Sequence, residues 1–121
     1  MSDVNELNKA IKAHSMWKIR LKDAIDTGRS EFTPVQVRAN HLCDFGKWMA
    51  TLPATDKALE DYKTIQVLHE KFHREAGDVL EMALTGQKEK AHIALTELKS
   101  DFVYTSAQLI NAITAWKMKI G

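Results

Sequence analysis

Between Asp3 and Asp26 apolar residues fall at Leu7, Ile11, Leu21 and Ile25, with His14 and Lys18 in the intervening places of the same spacing. This is the period of an amphipathic helix. Gly28 follows the last periodic residue, where a left-handed cap costs glycine little, and Gly28 to Thr33 reads as a connection. Thr33-Pro34 offers a short helical turn that β-branched Val35 and Val37 weaken; a firmer short helix is expected from His41 to Thr51, with Asn40 as its N-cap. Pro53 stops that element. Thr55 or Asp56 then caps a long helix reaching Thr85, with Leu59, Tyr62, Ile65, His69, Phe72, His73, Ala76, Leu80 and Ala83 along one face and Gly86 closing it. From Lys88 to Ile120 no Gly or Pro intervenes, and Ala91, Leu95, Leu98, Phe102, Leu109, Ile113, Trp116 and Ile120 recur at steps of three, four or seven. No stretch alternates as a strand would. The expected fold is all-α: an antiparallel four-helix bundle of three long helices and one short helix carrying Cys43, forming a single domain over residues 1–121.

The chain's 121 residues suit one domain. Seventeen Lys and Arg against sixteen Asp and Glu leave a net charge of +1, so no broad basic field exists for nucleic acid or an anionic membrane surface. No apolar run exceeds three residues, which argues against membrane insertion, and Met1 to Ala10 lacks the apolar core of an export signal. A cytoplasmic location is the expectation. One cysteine excludes an internal disulfide and turns attention to metal or redox chemistry.

His69 and His73 stand four apart, so on a helix they share a face and two imidazoles can reach one ion. Alone, such a pair is a weak signal, equally read as two helix histidines near a polar seam. His14 occupies a place in the first helix's stripe where Leu or Ile belongs, and a buried ring there needs partners. A carbonyl would satisfy it. Cys43, however, supplies a thiol from a further element, and three imidazoles with one thiolate make the closed tetrahedral set that zinc prefers.

His14-Ser15-Met16-Trp17, Cys43-Asp44-Phe45-Gly46-Lys47-Trp48 and His69-Glu70-Lys71-Phe72-His73 resemble, in order and spacing, the H-x-x-W, C-x-[FL]-G-x-W and H-x-x-x-H blocks of the chemoreceptor zinc-binding (CZB) domain family. The middle block is the most specific. The resemblance implies a Zn2+ site on His14, Cys43, His69 and His73, and a module that regulates a bacterial chemoreceptor or diguanylate cyclase, in cis or in trans, in response to zinc or to oxidants such as hypochlorous acid. It also implies a homodimer. Trp17, Phe45, Gly46 and Trp48 stand in or beside the blocks as a surrounding shell; the tryptophans would serve as core aromatics that also keep water from the metal. Gly46, and Gly77 one turn past His73, suit close approach of neighbouring elements. His41 and His92 match no block and read as surface residues.

Metal release would free the short cysteine helix, making residues 30–53 the switching segment, and oxidation of Cys43 would weaken the same bond. Two other functions fit parts of the pattern. His69-Glu70-x-x-His73 also matches the H-E-x-x-H of zinc hydrolases such as metallopeptidases, in which Glu70 would be general base. Four protein ligands, however, leave no open coordination position for a reacting water, so no enzyme is expected. The remaining reading is a metal-free helical interaction module.

Overall fold

The computed structural model describes residues 2–39 and 43–120, and 83% of these are helical with no strand among them. Helix α1 spans Ser2–Thr27, α2 Pro34–Arg38, α3 Asp44–Ala50, α4 Ala54–Lys57, α5 Glu60–Leu84, α6 Lys88–Thr96 and α7 Asp101–Ile120. The fold is therefore all-α. No helix among the described residues is long and apolar enough to cross a membrane.

The ends of α1 and α5 lie where glycine allows. Gly28 adopts φ +71° and its N–H reaches the Ala24 carbonyl at 2.8 Å. Gly86 adopts φ +81°, and the next N–H, of Gln87, returns to the Met82 carbonyl at 2.9 Å, which is a Schellman closure.

Four expectations about helix boundaries need correction. The short cysteine helix begins at Asp44, with Cys43 itself as N-cap; Asn40 and His41 lie outside the described residues. Thr33-Pro34 does start a helix. The Thr33 hydroxyl accepts from the Gln36 N–H while the Gln36 side chain accepts from the Thr33 N–H, a reciprocal capping box that outweighs the β-branched residues. The long helix expected from residue 55 is divided into α4 and α5, with Leu59 as an exposed N-cap rather than a core residue. The last helix is divided as well: Ser100 donates to the Ala94 carbonyl at 2.7 Å and accepts from the Val103 N–H at 3.3 Å, closing α6 and opening α7. Leu98, assigned to the stripe, is consequently 83% exposed.

In α1 the buried face runs through Leu7, Ala10, His14, Leu21, Ala24 and Ile25, with Trp17 half-buried and Lys18 exposed. Trp17, not Lys18, takes the place between His14 and Leu21. These residues meet Ile65, Phe72, Ala76, Val79 and Leu80 of α5 and Phe102, Leu109, Ile113 and Trp116 of α7 in one apolar core. Lys119 pairs with Asp61 at 3.1 Å and Lys117 donates to Asn8 at 3.1 Å. The end of α7 thus lies beside the beginnings of α1 and α5, and α7 runs opposite to both. The middles of α1 and α5 are left facing one another, with α3 against α1 and α2 against α5.

Candidate metal centre

His14 comes from the middle of α1, Cys43 from the start of α3, and His69 and His73 from successive turns of α5. Each of the four offers a ligand atom, and these atoms lie within 4.8 Å of one another. The imidazoles are 2%, 2% and 3% exposed respectively, and the cysteine is half-buried. No other group of three or more such side chains was found among the described residues. His92, on α6, is exposed; His41 lies outside the described residues.

The hydrogen bonds assign the ring nitrogens. His14 Nδ1 donates to the Ala10 carbonyl at 2.7 Å, one turn back on the same helix, and His73 Nδ1 donates to the Val37 carbonyl of α2 at 2.8 Å. A carbonyl can only accept, so both Nδ1 atoms carry the proton and both Nε2 atoms keep a lone pair. His73 Nε2 is fully buried, with no hydrogen-bond partner among the described residues. Such an orphan is costly unless something else binds it. His69 Nε2 lies 3.2 Å from Cys43 Sγ, which also accepts from the Gly46 N–H at 3.4 Å. The sulfur occupies the place of a Ser or Asp side chain in an N-cap.

This donor set fits zinc. With Zn–N near 2.0 Å and Zn–S near 2.3 Å, a tetrahedron separates its ligand atoms by about 3.3–3.6 Å, within reach of small side-chain rotations from this arrangement. An outer bond from Nδ1 to a carbonyl is the usual way a metal-binding imidazole is oriented.

Burial dominates the electrostatics. Loss of hydration pushes His14 down to about 4, opposed in part by its bond to Ala10 and reinforced by His73. His69 falls further, to about 2, through burial and then its two imidazole neighbours. His73 is lowered by burial, with the Val37 carbonyl opposing. All three rings are neutral at pH 7, the form that ligates. Burial raises the Cys43 thiol, while the Gly46 and Phe45 N–H groups partly favour the thiolate.

Aromatic rings wall the centre. Phe45 stands edge-on to His14 and His69 at 5.8 and 5.2 Å between centroids, and Phe72 meets His14 at 5.1 Å. Trp48 backs Phe45 at 5.9 Å and reaches Trp116 at 6.3 Å. Trp17 turns the other way, packing on Phe32 at 5.2 Å with the Arg20 guanidinium 5.0 Å above its ring. Both lie beside a cavity of about 760 Å³ whose wall, among the described residues, also includes Gln36, His14, Cys43 and His73. Phe72 and the Ala10 and Val37 carbonyls were missed from the sequence. Phe72 stands between two ligands on the core face, where it reads as ordinary packing.

The family model described as "Chemoreceptor zinc-binding domain" matches residues 14–80. The match takes in all four converging side chains and more than half of the chain. This chain belongs to the CZB family. No curated protein and no solved structure matches it. Within the CZB match, the histidine–cysteine group is the part that bears on chemistry, and the α6–α7 segment outside it completes the core around that group.

Proposed function

We propose that this CZB chain is a regulatory zinc sensor without catalytic activity, its metal held by His14, Cys43, His69 and His73. One observation carries the reading: three buried neutral imidazoles and a thiol converge, with His73 Nε2 left without a hydrogen-bond partner among the described residues. When bound, zinc supplies a positively charged cross-link that holds the thiolate form of Cys43 against the three imidazoles. The four helical legs, α1, α2–α4, α5 and α6–α7, form an antiparallel bundle. α1, α5 and α7 bury a continuous apolar core, so most of the fold persists without metal, whereas α3 makes slighter contact with its neighbours. The ion therefore adds most to the order of α3, whereas α2 is seated on α5 by contacts of its own. Its effector is a chemoreceptor signalling domain or a diguanylate cyclase, in cis or in trans, and the chain works in the cytoplasm as a homodimer. Oxidation of Cys43, which borders the cavity, gives the same output as metal loss.

Hydrogen exchange with and without a zinc chelator tests this. Chelation is expected to speed exchange in α3 by tenfold or more while the centres of α1, α5 and α7 change little. Uniform acceleration would make the metal a structural pin, and no change would remove the sensor reading.

Glu70 is exposed while its neighbour His69 points inward, which speaks against a general base aimed at a metal-bound water. Glu70→Gln is expected to leave zinc content and affinity within twofold of the parent. Hydrolysis of a peptide substrate by the parent, abolished in Glu70→Gln with zinc retained, would favour the hydrolase instead.

A further inference from the structure

Among the described residues, His73 is the only one of the four candidate ligands whose outer hydrogen bond goes to a different element. The acceptor, the Val37 carbonyl, stands 36 residues away in the chain, on a helix of five residues that packs chiefly on α5. A helix that short does not hold a position by itself. Three contacts seat it. Val37 is 2% exposed. The Arg38 guanidinium donates to Asp78 at 2.9 Å and to Glu81 at 3.4 Å, both on α5. Between these and His73 lies Gly77, buried, where a Cβ would overlap Arg38 Cγ and stand 3.1 Å from both Arg38 Nε and the Pro34 carbonyl oxygen. The Arg38 side chain and the Pro34 carbonyl therefore rest on the bare surface of α5 one turn beyond His73, where any side chain would push Arg38 aside and crowd the backbone of α2.

We propose that Gly77 and Arg38, neither of which touches the metal site, are positioning residues that set its affinity by holding the Val37 carbonyl against His73 Nδ1. The inference rests on the zinc-site reading and adds a control element to it. Seated, α2 keeps the proton on Nδ1 and aims the lone pair of Nε2 at the other ligands. Displaced, it frees His73 to move its proton to Nε2, the tautomer favoured in water, and that nitrogen can then no longer ligate. The other outer bond offers an internal reference, because His14 takes its carbonyl from Ala10 within α1 and does not depend on α2.

The test uses the full chain and the variants Gly77→Ala and Arg38→Ala, with zinc affinity measured by chelator competition and the ring ¹⁵N shifts of the histidines recorded in metal-free protein. Loss of an outer partner of a ligating histidine lowers metal affinity about 10- to 100-fold. That loss is expected in Gly77→Ala, with a smaller one in Arg38→Ala. The His73 signals should shift from the Nδ1–H toward the Nε2–H pattern while those of His14 stay put. Arg38 is partly exposed, so its variant decides the question should Gly77→Ala fail to fold. Affinities within twofold of a parent that binds zinc would overturn the positioning role alone, as would weakened binding with an unshifted His73. A parent that binds no zinc would overturn the zinc reading and this inference together.

Discussion

Cys43→Ala is expected to lower zinc affinity by about a hundredfold and to remove the sulfur-to-metal charge-transfer band from the cobalt-substituted protein. The magnitude follows from the 10–16 kcal/mol that structural zinc typically contributes: a quarter of it is about 3 kcal/mol, or a factor of roughly 10². The same loss is expected for His73→Ala. Cys43 also caps α3, accepting from the Gly46 N–H, so an alanine there removes two functions at once. Cys43→Ser separates them. Serine is at least as good an N-cap, so α3 should hold its place, yet its hydroxyl is a poor zinc ligand and the affinity should fall nearly as far. A cobalt spectrum of the parent without a thiolate band, or a serine variant that binds zinc as the parent does, would take Cys43 out of the ligand set.

Metal-free protein should unfold on mild acidification. In the fold His14 titrates near 4 and His69 near 2, both held down first by burial, and His73 is lowered as well. An unfolded histidine titrates near 6.5. Below that value the unfolded chain binds more protons than the folded one, so the stability these residues contribute is complete above about pH 6.5 and is lost as pH falls toward their folded values. His14 and His69 each cost about 1.4 kcal/mol per pH unit in that window, together about 3, with His73 acting in the same direction, against a typical total of roughly 5–15. Helix content followed by circular dichroism in the presence of a chelator should therefore collapse between about pH 6 and 4. His69→Leu, which removes one titrating ring and fills its place with apolar atoms, should move the midpoint down by half a unit or more. Unchanged helicity down to pH 4 would contradict the burial-driven shifts.

Much of this centre could be read from residue order because its ligands are side chains placed by helical period. His14 interrupts an apolar stripe, His69 and His73 share one face, and Cys43 opens the Phe45-Gly46-x-Trp48 block. What escaped was set by backbone. Thr33 and Gln36 spell a capping box, whose two reciprocal hydrogen bonds outweigh the poor helix propensity of Val35 and Val37. The break between α6 and α7 is hidden because neither Gly nor Pro marks it, whereas Ser100 followed by Asp101 carries the start signal of a new helix. Leu59 and Leu98 fell in step with their stripes by position alone, and both stand at junctions where the helical phase is reset. The Val37 carbonyl has no signature in a sequence at all, since any residue would supply one. Gly77 did carry a signal, a glycine inside a helix, and the close approach it was expected to allow is that of α2.

The central claim, a three-nitrogen, one-sulfur zinc site, is tested most directly by X-ray absorption at the zinc edge on protein purified without added metal, with elemental analysis of the same sample. The account predicts about one zinc per chain, with three nitrogen neighbours near 2.0 Å and one sulfur near 2.3 Å. Protein that holds no zinc and takes up none, or zinc surrounded by nitrogen and oxygen alone, would contradict it.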